Sequence, residues 1–219
     1  MAASIWATVV PVSTKIDFPG WRAHHSAVMA KSTGLRFSES LSGYLGEGSG
    51  FWDAYRDGLA KGHVARFHVT VHIPDLKRFL ADPEHVAAMT GRLTVAGLGS
   101  AVVDGGRIHL FCLRGQEKRL LYYLPFKKGE GRYLLWGEKR LHKPRGLQAW
   151  RQMTTLYTEL VRQGDGQPEE TLSRGILRIS SWEVMRQALS FRPLGTLNPL
   201  RFLGDYLRFL RFSGREMRS

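Results

Sequence analysis

The segment at residues 65–73 constrains the fold of this chain more than any other, because apolar and polar residues alternate in it without exception. Its apolar members are Ala65, Phe67, Val69, Val71 and Ile73. A period of two places all of these side chains on one face of an extended strand. The pattern predicts a half-buried β-strand, which requires neighbouring strands in a sheet with an apolar face.

Further strand-like segments follow, and short turns rich in glycine separate most of them. They cover residues 35–45, 90–95, 107–113, 120–126, 133–141, 153–161 and 172–179. Connections this short join antiparallel neighbours, because a parallel crossover needs about a dozen residues or more. Several segments are apolar on both faces, so the sheet must be covered on both sides. We therefore expect a β-rich α+β protein, with an antiparallel, strongly curved sheet or a closed β-barrel and peripheral helices.

Three regions follow from this pattern: an irregular lead-in at residues 1–34, the barrel domain at 35–197, and a C-terminal amphipathic helix and tail at 198–219. Short helices are expected at residues 51–59 and 76–81. The segment 153–161 also fits a helical stripe, but its branched and aromatic residues favour a strand.

The C-terminal segment begins with Asn198 and Pro199, which are typical of a helix cap and a first helical position. Large apolar side chains then form a broad stripe, and arginines occupy its edge. Two interpretations stay open for residues 198–212. The helix packs on the sheet, or it lies in the headgroup layer of an anionic membrane.

The composition restricts the protein classes to which the chain can belong. Cys112 is the single cysteine, so an internal disulfide and a multi-cysteine zinc cluster are excluded, and its apolar strand predicts a buried, inert thiol. No basic leader precedes an apolar stretch, and no apolar run reaches the roughly 18 residues of a membrane-spanning helix. We expect a cytoplasmic protein that is, if anything, peripheral to the membrane.

The net charge of +13 is concentrated in two blocks. Residues 107–151 contain twelve Lys or Arg and three Glu, and residues 191–219 contain six Arg, one Asp and one Glu. Such a field favours phosphates or anionic lipids as partners, although a solvated face has the same composition. The sequence has no zinc finger, basic zipper or RNA-binding aromatic motif, which argues against nucleic acid as a partner.

Candidate acid–base residues are few, and no catalytic residue can be assigned. Motifs for dinucleotides, phosphate loops and zinc proteases are missing, so we expect no cofactor and no metal. His68 and His72 lie about 13 Å apart along one strand, too far to share an ion. Glu138 and Tyr157 complete the acid–base candidates. Glu39, Glu138 and Glu159 lie on predicted strands, where a salt bridge to a base such as Lys139 is the simpler interpretation.

A wide barrel with apolar walls can also hold an apolar ligand. The aromatic and branched residues on adjoining strands are the candidate walls, and a register error of one residue would invert any one strand. These residues are Phe67, Val69, Val71, Leu110, Tyr122, Leu124, Tyr133, Leu135 and Trp136.

Several motifs resemble an accessory region of large bacterial cholesterol-oxidase-like proteins of the GMC oxidoreductase superfamily, outside their flavin domain. The motifs are FSESLSG at residues 37–43, VHIPDL at 71–76, FLADPEH at 79–85, residues 93–99, LYYLPF at 121–126, YLLWGEK at 133–139, TTLYT at 154–158 and GIL at 175–177. The resemblance spans roughly residues 36–212 in one order. An acidic residue and a threonine are expected before TTLY, where this chain has Gln152 and Met153.

The resemblance implies a role in handling sterols or other lipids for a flavin-dependent oxidoreductase, without oxidase chemistry in this chain. Non-catalytic binding of a lipophilic small molecule is therefore the first hypothesis. The alternatives are an enzyme that acts on such a molecule by acid–base chemistry, and a basic module that docks anionic partners.

Overall fold

The computed structural model describes residues 33–141, 146–164, 169–195 and 198–217. The predicted lead-in at residues 1–34 lies outside this part of the chain except for its last two residues. Within the described ranges, ten strands and five helices form. The strands are β1 (Gly34–Gly46), β2 (Val64–Ile73), β3 (Val86–Val95), β4 (Gly99–Val102), β5 (Gly106–Arg114), β6 (Glu117–Lys128), β7 (Gly131–Leu141), β8 (Thr155–Gln163), β9 (Glu170–Arg178) and β10 (Arg192–Leu194). The helices are α1 (Phe51–Lys61), α2 (Leu76–Ala81), α3 (Gly146–Thr154), α4 (Ser181–Leu189) and α5 (Pro199–Glu216).

The fold is a closed antiparallel barrel of eight strands, which confirms the predicted fold class. The strand order is β1-β2-β3-β5-β6-β7-β8-β9, and the second half of β1 pairs with β9 to close the ring. The first three residues of β1 pair instead with β10, and β4 pairs antiparallel with the last four residues of β3. The helices lie at the periphery of the barrel.

The strand β2 shows how the sequence pattern positions the core. Ala65, Phe67, Val69, Val71 and Ile73 are all buried, whereas the polar residues between them point outward. The inner side chains of the other barrel strands meet them and form one continuous hydrophobic core. Burial of this kind supplies most of the stability of a domain of this size.

The segment 153–161 is both helix and strand. The helix α3 ends at Thr154, whose hydroxyl donates to the carbonyl oxygen of Trp150 at 2.7 Å, and β8 begins at the next residue. The predicted strand was therefore wrong for its first two residues. Neither α4 nor β10 was predicted, although Ser180 is a regular helix cap that accepts from the backbone N–H of Glu183.

A β-bulge in β5 between His109 and Cys112 interrupts the alternation of inner and outer residues. Phe111 lies within this bulge with a φ of 57°, a conformation that residues other than glycine rarely adopt. As a result, Leu110, Phe111 and Cys112 are buried one after another. The bulge turns the Phe111 ring toward the C-terminal helix, where it contacts Phe212.

Candidate functional site

Among the described residues, the barrel interior holds a cluster of ionisable side chains in a mostly apolar core. Lys139 Nζ donates to Glu39 Oε1 at 2.8 Å, and the Tyr122 hydroxyl donates to the same carboxylate at 3.0 Å. The side chains of Lys139 and Glu39 are only 3% and 4% exposed. Burial, together with the charge of Glu39, raises the pKa of Tyr122 well above its usual value, so the phenol is neutral and acts as a donor. The expected pairing of Glu39 with Lys139 is therefore present.

Eight of the nine predicted wall residues point into the barrel, where most of them are fully buried. Tyr133 is only partly buried and stacks on the ring of Phe126 at the inner face. Trp136 follows Leu135 directly in β7 and lies opposite Tyr123 and Glu159 on the outer face of the sheet. The inner residues pack against one another, so in this state side chains occupy the interior.

The predicted acid–base residues fall on two opposite sides of the barrel. His68 and His72 lie on the outer face of β2, where they bond Ser40 Oγ at 2.7 Å and Thr90 Oγ1 at 2.9 Å. Burial lowers the pKa of His72, with a smaller contribution from Arg36. Three strands lie between β2 and β7 in either direction around the ring. The histidines therefore cannot act together with the other two candidates.

Glu138 and Tyr157 are directly opposite each other on β7 and β8. Both oxygens of Glu138 are engaged, since Arg119 Nη1 donates to one at 2.7 Å and Arg140 Nε donates to the other at 2.6 Å. The Arg140 guanidinium also lies 5.1 Å from the centre of the Tyr157 ring. This arrangement is a structural ion-pair network, because neither oxygen of Glu138 is left without a donor.

Other titratable groups are also engaged in structural roles. His109 Nδ1 lies 3.0 Å from Glu84 Oε2, and burial lowers the pKa of this histidine. Cys112 is buried as predicted, and burial raises the pKa of its thiol. Across residues 33–141, 146–164, 169–195 and 198–217, no three His, Cys, Asp or Glu side chains meet in a way that could hold a metal ion.

The helix α5 covers one open end of the barrel with an aromatic face. Phe209 contacts Phe37 at 6.1 Å between ring centres, and Phe212 contacts Phe79 and Phe111 at 6.1 and 5.8 Å. At the end of the helix, Lys118 Nζ bonds Glu216 Oε2 at 2.6 Å. We call the ring contacts of Phe209 and Phe212 the aromatic cap. Together with the Lys118–Glu216 bond, they anchor α5 across the barrel mouth from β1 to β6.

The opposite side of α5 is apolar as well, and it faces solvent. Leu200, Leu203, Leu207 and Leu210 are 78%, 51%, 45% and 43% exposed. Their spacing of three, four and three residues aligns them along one face of the helix. The exposed arginines of α5 form an adjacent stripe, consisting of Arg201, Arg208, Arg211 and Arg215. The apolar residues that the sequence predicted as one broad stripe therefore form two faces of α5. The aromatic rings face the barrel, and the leucines face solvent.

The helix α4 repeats this exposure on a smaller scale. Trp182, Met185 and Leu189 are 64%, 55% and 69% exposed, with the same i, i+3, i+7 spacing. Phe191, just beyond the C-cap of α4, contacts Tyr206 and Phe209 of α5. No helix within the described ranges has the length and apolarity that would let it cross a bilayer.

A groove of about 980 Å³ lies on the barrel wall, between α1, α3 and the start of α4. Indole rings and guanidinium groups line it, together with Tyr157 and the hydroxyl-bearing residues Ser180 and Ser181. The rings belong to Trp52 and Trp150, and the cations are Arg140, Arg151 and Arg178. The sequence did not predict this groove, because its residues come from four distant segments and form no local motif.

Comparison of the chain with family models, with curated proteins and with solved structures gave no match.

Proposed function

We propose that this protein docks on anionic membrane surfaces through the exposed leucine and arginine stripes of α5, and that it handles a lipophilic molecule there. The observation that carries the proposal is the exposure of four aligned leucines on the outer side of α5. Four aligned leucines on a solvent-exposed helix face form an apolar patch, and such patches mark binding faces.

The energetics of the stripe suit reversible membrane binding. Full burial of one leucine contributes about 1.5–3 kcal/mol. Because the four leucines are between 43% and 78% exposed, completing their burial in lipid contributes about 4 kcal/mol in all. Arginines near an anionic surface add on the order of 1 kcal/mol each. Arg208 is paired with Asp205, whereas Arg201 and Arg211 have no carboxylate within salt-bridge distance in the described ranges.

The net positive charge selects the partner of this face. Both acidic residues of α5, Asp205 and Glu216, are largely buried and paired, so arginine supplies the charge on the solvent side beside the leucines. A protein partner with a matching apolar helix would have to be acidic, and a second copy of the same arginine-rich face would be repelled. The partner of this face must be both apolar and negatively charged. An anionic lipid surface is both, because its acyl chains accept the leucines and its headgroups bind the arginines.

The position of α5 supports the lipid-handling part of the proposal. One helix carries both the membrane-directed leucines and the aromatic cap over the barrel mouth. Movement of α5 into the headgroup layer would uncover the apolar barrel end beside Phe37 and Phe111, and the cargo would bind at this end, because side chains fill the interior. The resemblance to the accessory region of cholesterol-oxidase-like proteins agrees with a sterol or another lipid as cargo, and with a flavin-dependent oxidoreductase as the enzyme served.

Vesicle flotation tests the docking step. The wild-type chain should float with vesicles of phosphatidylcholine and phosphatidylglycerol, bind more weakly as salt rises, and stay in solution with phosphatidylcholine alone. The double variant Leu203→Gln/Leu207→Gln should lose binding at least tenfold. The matched control is Leu59→Gln/Leu113→Gln, which replaces exposed leucines on other elements and should bind like the wild type.

Two results would overturn the docking proposal. One is equal loss of vesicle binding in both double variants. The other is a stable dimer in light scattering that Leu203→Gln/Leu207→Gln dissociates, which would make a second copy the partner of α5. The cargo step is tested by native mass spectrometry after incubation with sterol-containing anionic vesicles. A chain that binds vesicles but never retains a lipid would refute lipid handling and leave docking intact.

A further inference from the structure

We propose that the groove on the barrel wall binds a nucleotide, with the base stacked on Trp150 and the phosphates held by Arg151 and Arg178. This inference is independent of membrane docking, because the groove lies beside β7, β8 and β9, whereas α5 covers the barrel end at β1 and β5. It rests on the cations, the rings and the dimensions of the groove.

The cations indicate an anionic ligand. Arg140 is neutralised by Glu138, but Arg151 and Arg178 have no carboxylate within salt-bridge distance in the part of the chain that the structure describes. The Arg178 guanidinium lies 5.3 Å from the centre of the Trp52 ring. A cation–π contact of this kind restrains the guanidinium and leaves its edge N–H groups available as donors. A fixed fork of donors matches the oxygens of a phosphate.

The rings indicate that the ligand is flat as well as charged. Trp150 is 43% exposed, and its ring contacts no other aromatic ring and no cation within the described ranges. Tryptophan is usually well buried, so an open indole face in a concave site is a platform for stacking. Trp150 and Arg151 of α3 both line the groove, so it offers a stacking surface and a cation. A phosphorylated aromatic compound uses both.

The dimensions favour a single nucleotide over a polynucleotide. The volume of about 980 Å³ falls at the upper end of the range for small-molecule sites. The hydroxyl groups of Ser180 and Ser181 add donors at the beginning of α4. Ser180 Oγ already accepts from the Glu183 N–H, so its own proton remains available for a phosphate oxygen.

Isothermal titration calorimetry of the full chain with ADP tests the site, with adenosine and inorganic pyrophosphate as partial ligands. ADP should bind, and each partial ligand should bind at least tenfold more weakly, since it lacks either the charge or the ring. Arg151→Gln, Arg178→Gln and Trp150→Ala should each weaken ADP binding about tenfold or more. The matched controls are Arg92→Gln, on the opposite side of the barrel, and Trp182→Ala, on α4 outside the groove; both should leave ADP binding unchanged.

Three results would overturn the proposal. Absence of ADP binding at millimolar concentration removes the site altogether. Equal affinity for ADP and pyrophosphate shows an anion site in which Trp150 has no part. Tighter binding of a single-stranded oligonucleotide than of ADP, lost in Arg151→Gln, shows a nucleic-acid surface instead. Circular dichroism of each variant separates a loss of contact from a loss of fold.

Discussion

Replacement of Lys139 by Met should destabilise the barrel far more than the loss of one surface charge. The substitution keeps most of the length of the side chain and removes the Lys139 ammonium, the cation that bonds Glu39 among the described residues. The Glu39 carboxylate then keeps the Tyr122 hydroxyl as its hydrogen-bond donor. A buried carboxylate without its cation lacks the interaction that offset its loss of hydration.

The expected loss follows from the burial of both partners. With exposures of 3% and 4%, solvent screens neither charge, so the loss belongs to the class of broken buried ion pairs, about 3–5 kcal/mol. This is a large part of the 5–15 kcal/mol that stabilises a typical domain. The double variant Glu39→Gln/Lys139→Met removes both charges together and should recover most of the loss. Tyr122→Phe retains the ion pair and should lose about 1.5–3 kcal/mol.

Urea denaturation, monitored by circular dichroism, measures the differences in unfolding free energy between these variants, and the m-value should stay constant among them. The matched control is Arg186→Met, which breaks an ion pair with Glu183 whose side chains are 57% and 26% exposed. Its loss should stay below about 1 kcal/mol. A loss below 1 kcal/mol for Lys139→Met, or a double variant less stable than Lys139→Met alone, would refute the reasoning. If Lys139→Met does not fold while the double variant does, the reasoning is confirmed.

Three further predictions concern helix propensity and pH. Gly204→Ala should stabilise the protein by about 0.5–1 kcal/mol in urea denaturation, because an added Cβ in α5 meets open space; a loss of stability would contradict this. The ion pair with Arg114 lowers the pKa of Glu84 from 4.5 to about 2, so its contribution is present above pH 4.5 and lost as the pH falls toward 2. Glu84→Gln should reduce the loss of unfolding free energy between pH 4.5 and 2 by less than about 1 kcal/mol, because the side chain is 42% exposed. An unchanged loss in this pH range would contradict the assignment. Because the pKa of Tyr122 is raised in the folded state, this tyrosine ionises first in the unfolded chain, near pH 10, and the free energy of unfolding falls as the pH rises above 10. Tyr122→Phe should reduce the slope of the free energy of unfolding against pH by up to about 1.4 kcal/mol per pH unit. An unchanged slope would assign the pH dependence to other groups.

The sequence predicted those parts of the fold in which local pattern and tertiary packing agree. The alternation in β2 identified both the strand and its buried face, and Asn198 marked the beginning of α5 with its side chain bonded to Leu200 N and Arg201 N. Closure of the barrel followed from strands that are apolar on both faces. These features depend on residues close together in the sequence, so periodicity alone reveals them.

Other features depend on contacts that a sequence pattern does not contain. Trp136 was grouped with Leu135 as a wall residue, but consecutive residues of a strand point to opposite faces. The division of α5 into an aromatic inner face and a leucine outer face depends on the shape of the barrel mouth. The groove with Trp52 and Arg178 appears only when α1 and the end of β9 are brought together by the fold.

The pairing of β1 with β9 has a consequence for how the protein is made. Ser42 lies opposite Arg178, while the other strand pairs of the barrel join segments that are neighbours along the chain. Those pairs form after short loop closures, but the β1–β9 pair must close a far longer loop, which is entropically less favourable. During synthesis, β1 leaves the ribosome long before β9, and its free edge stays without that partner until the barrel sequence is nearly complete. Because an unpaired strand edge can recruit strands from other chains, aggregation is most favoured while this protein is still being translated.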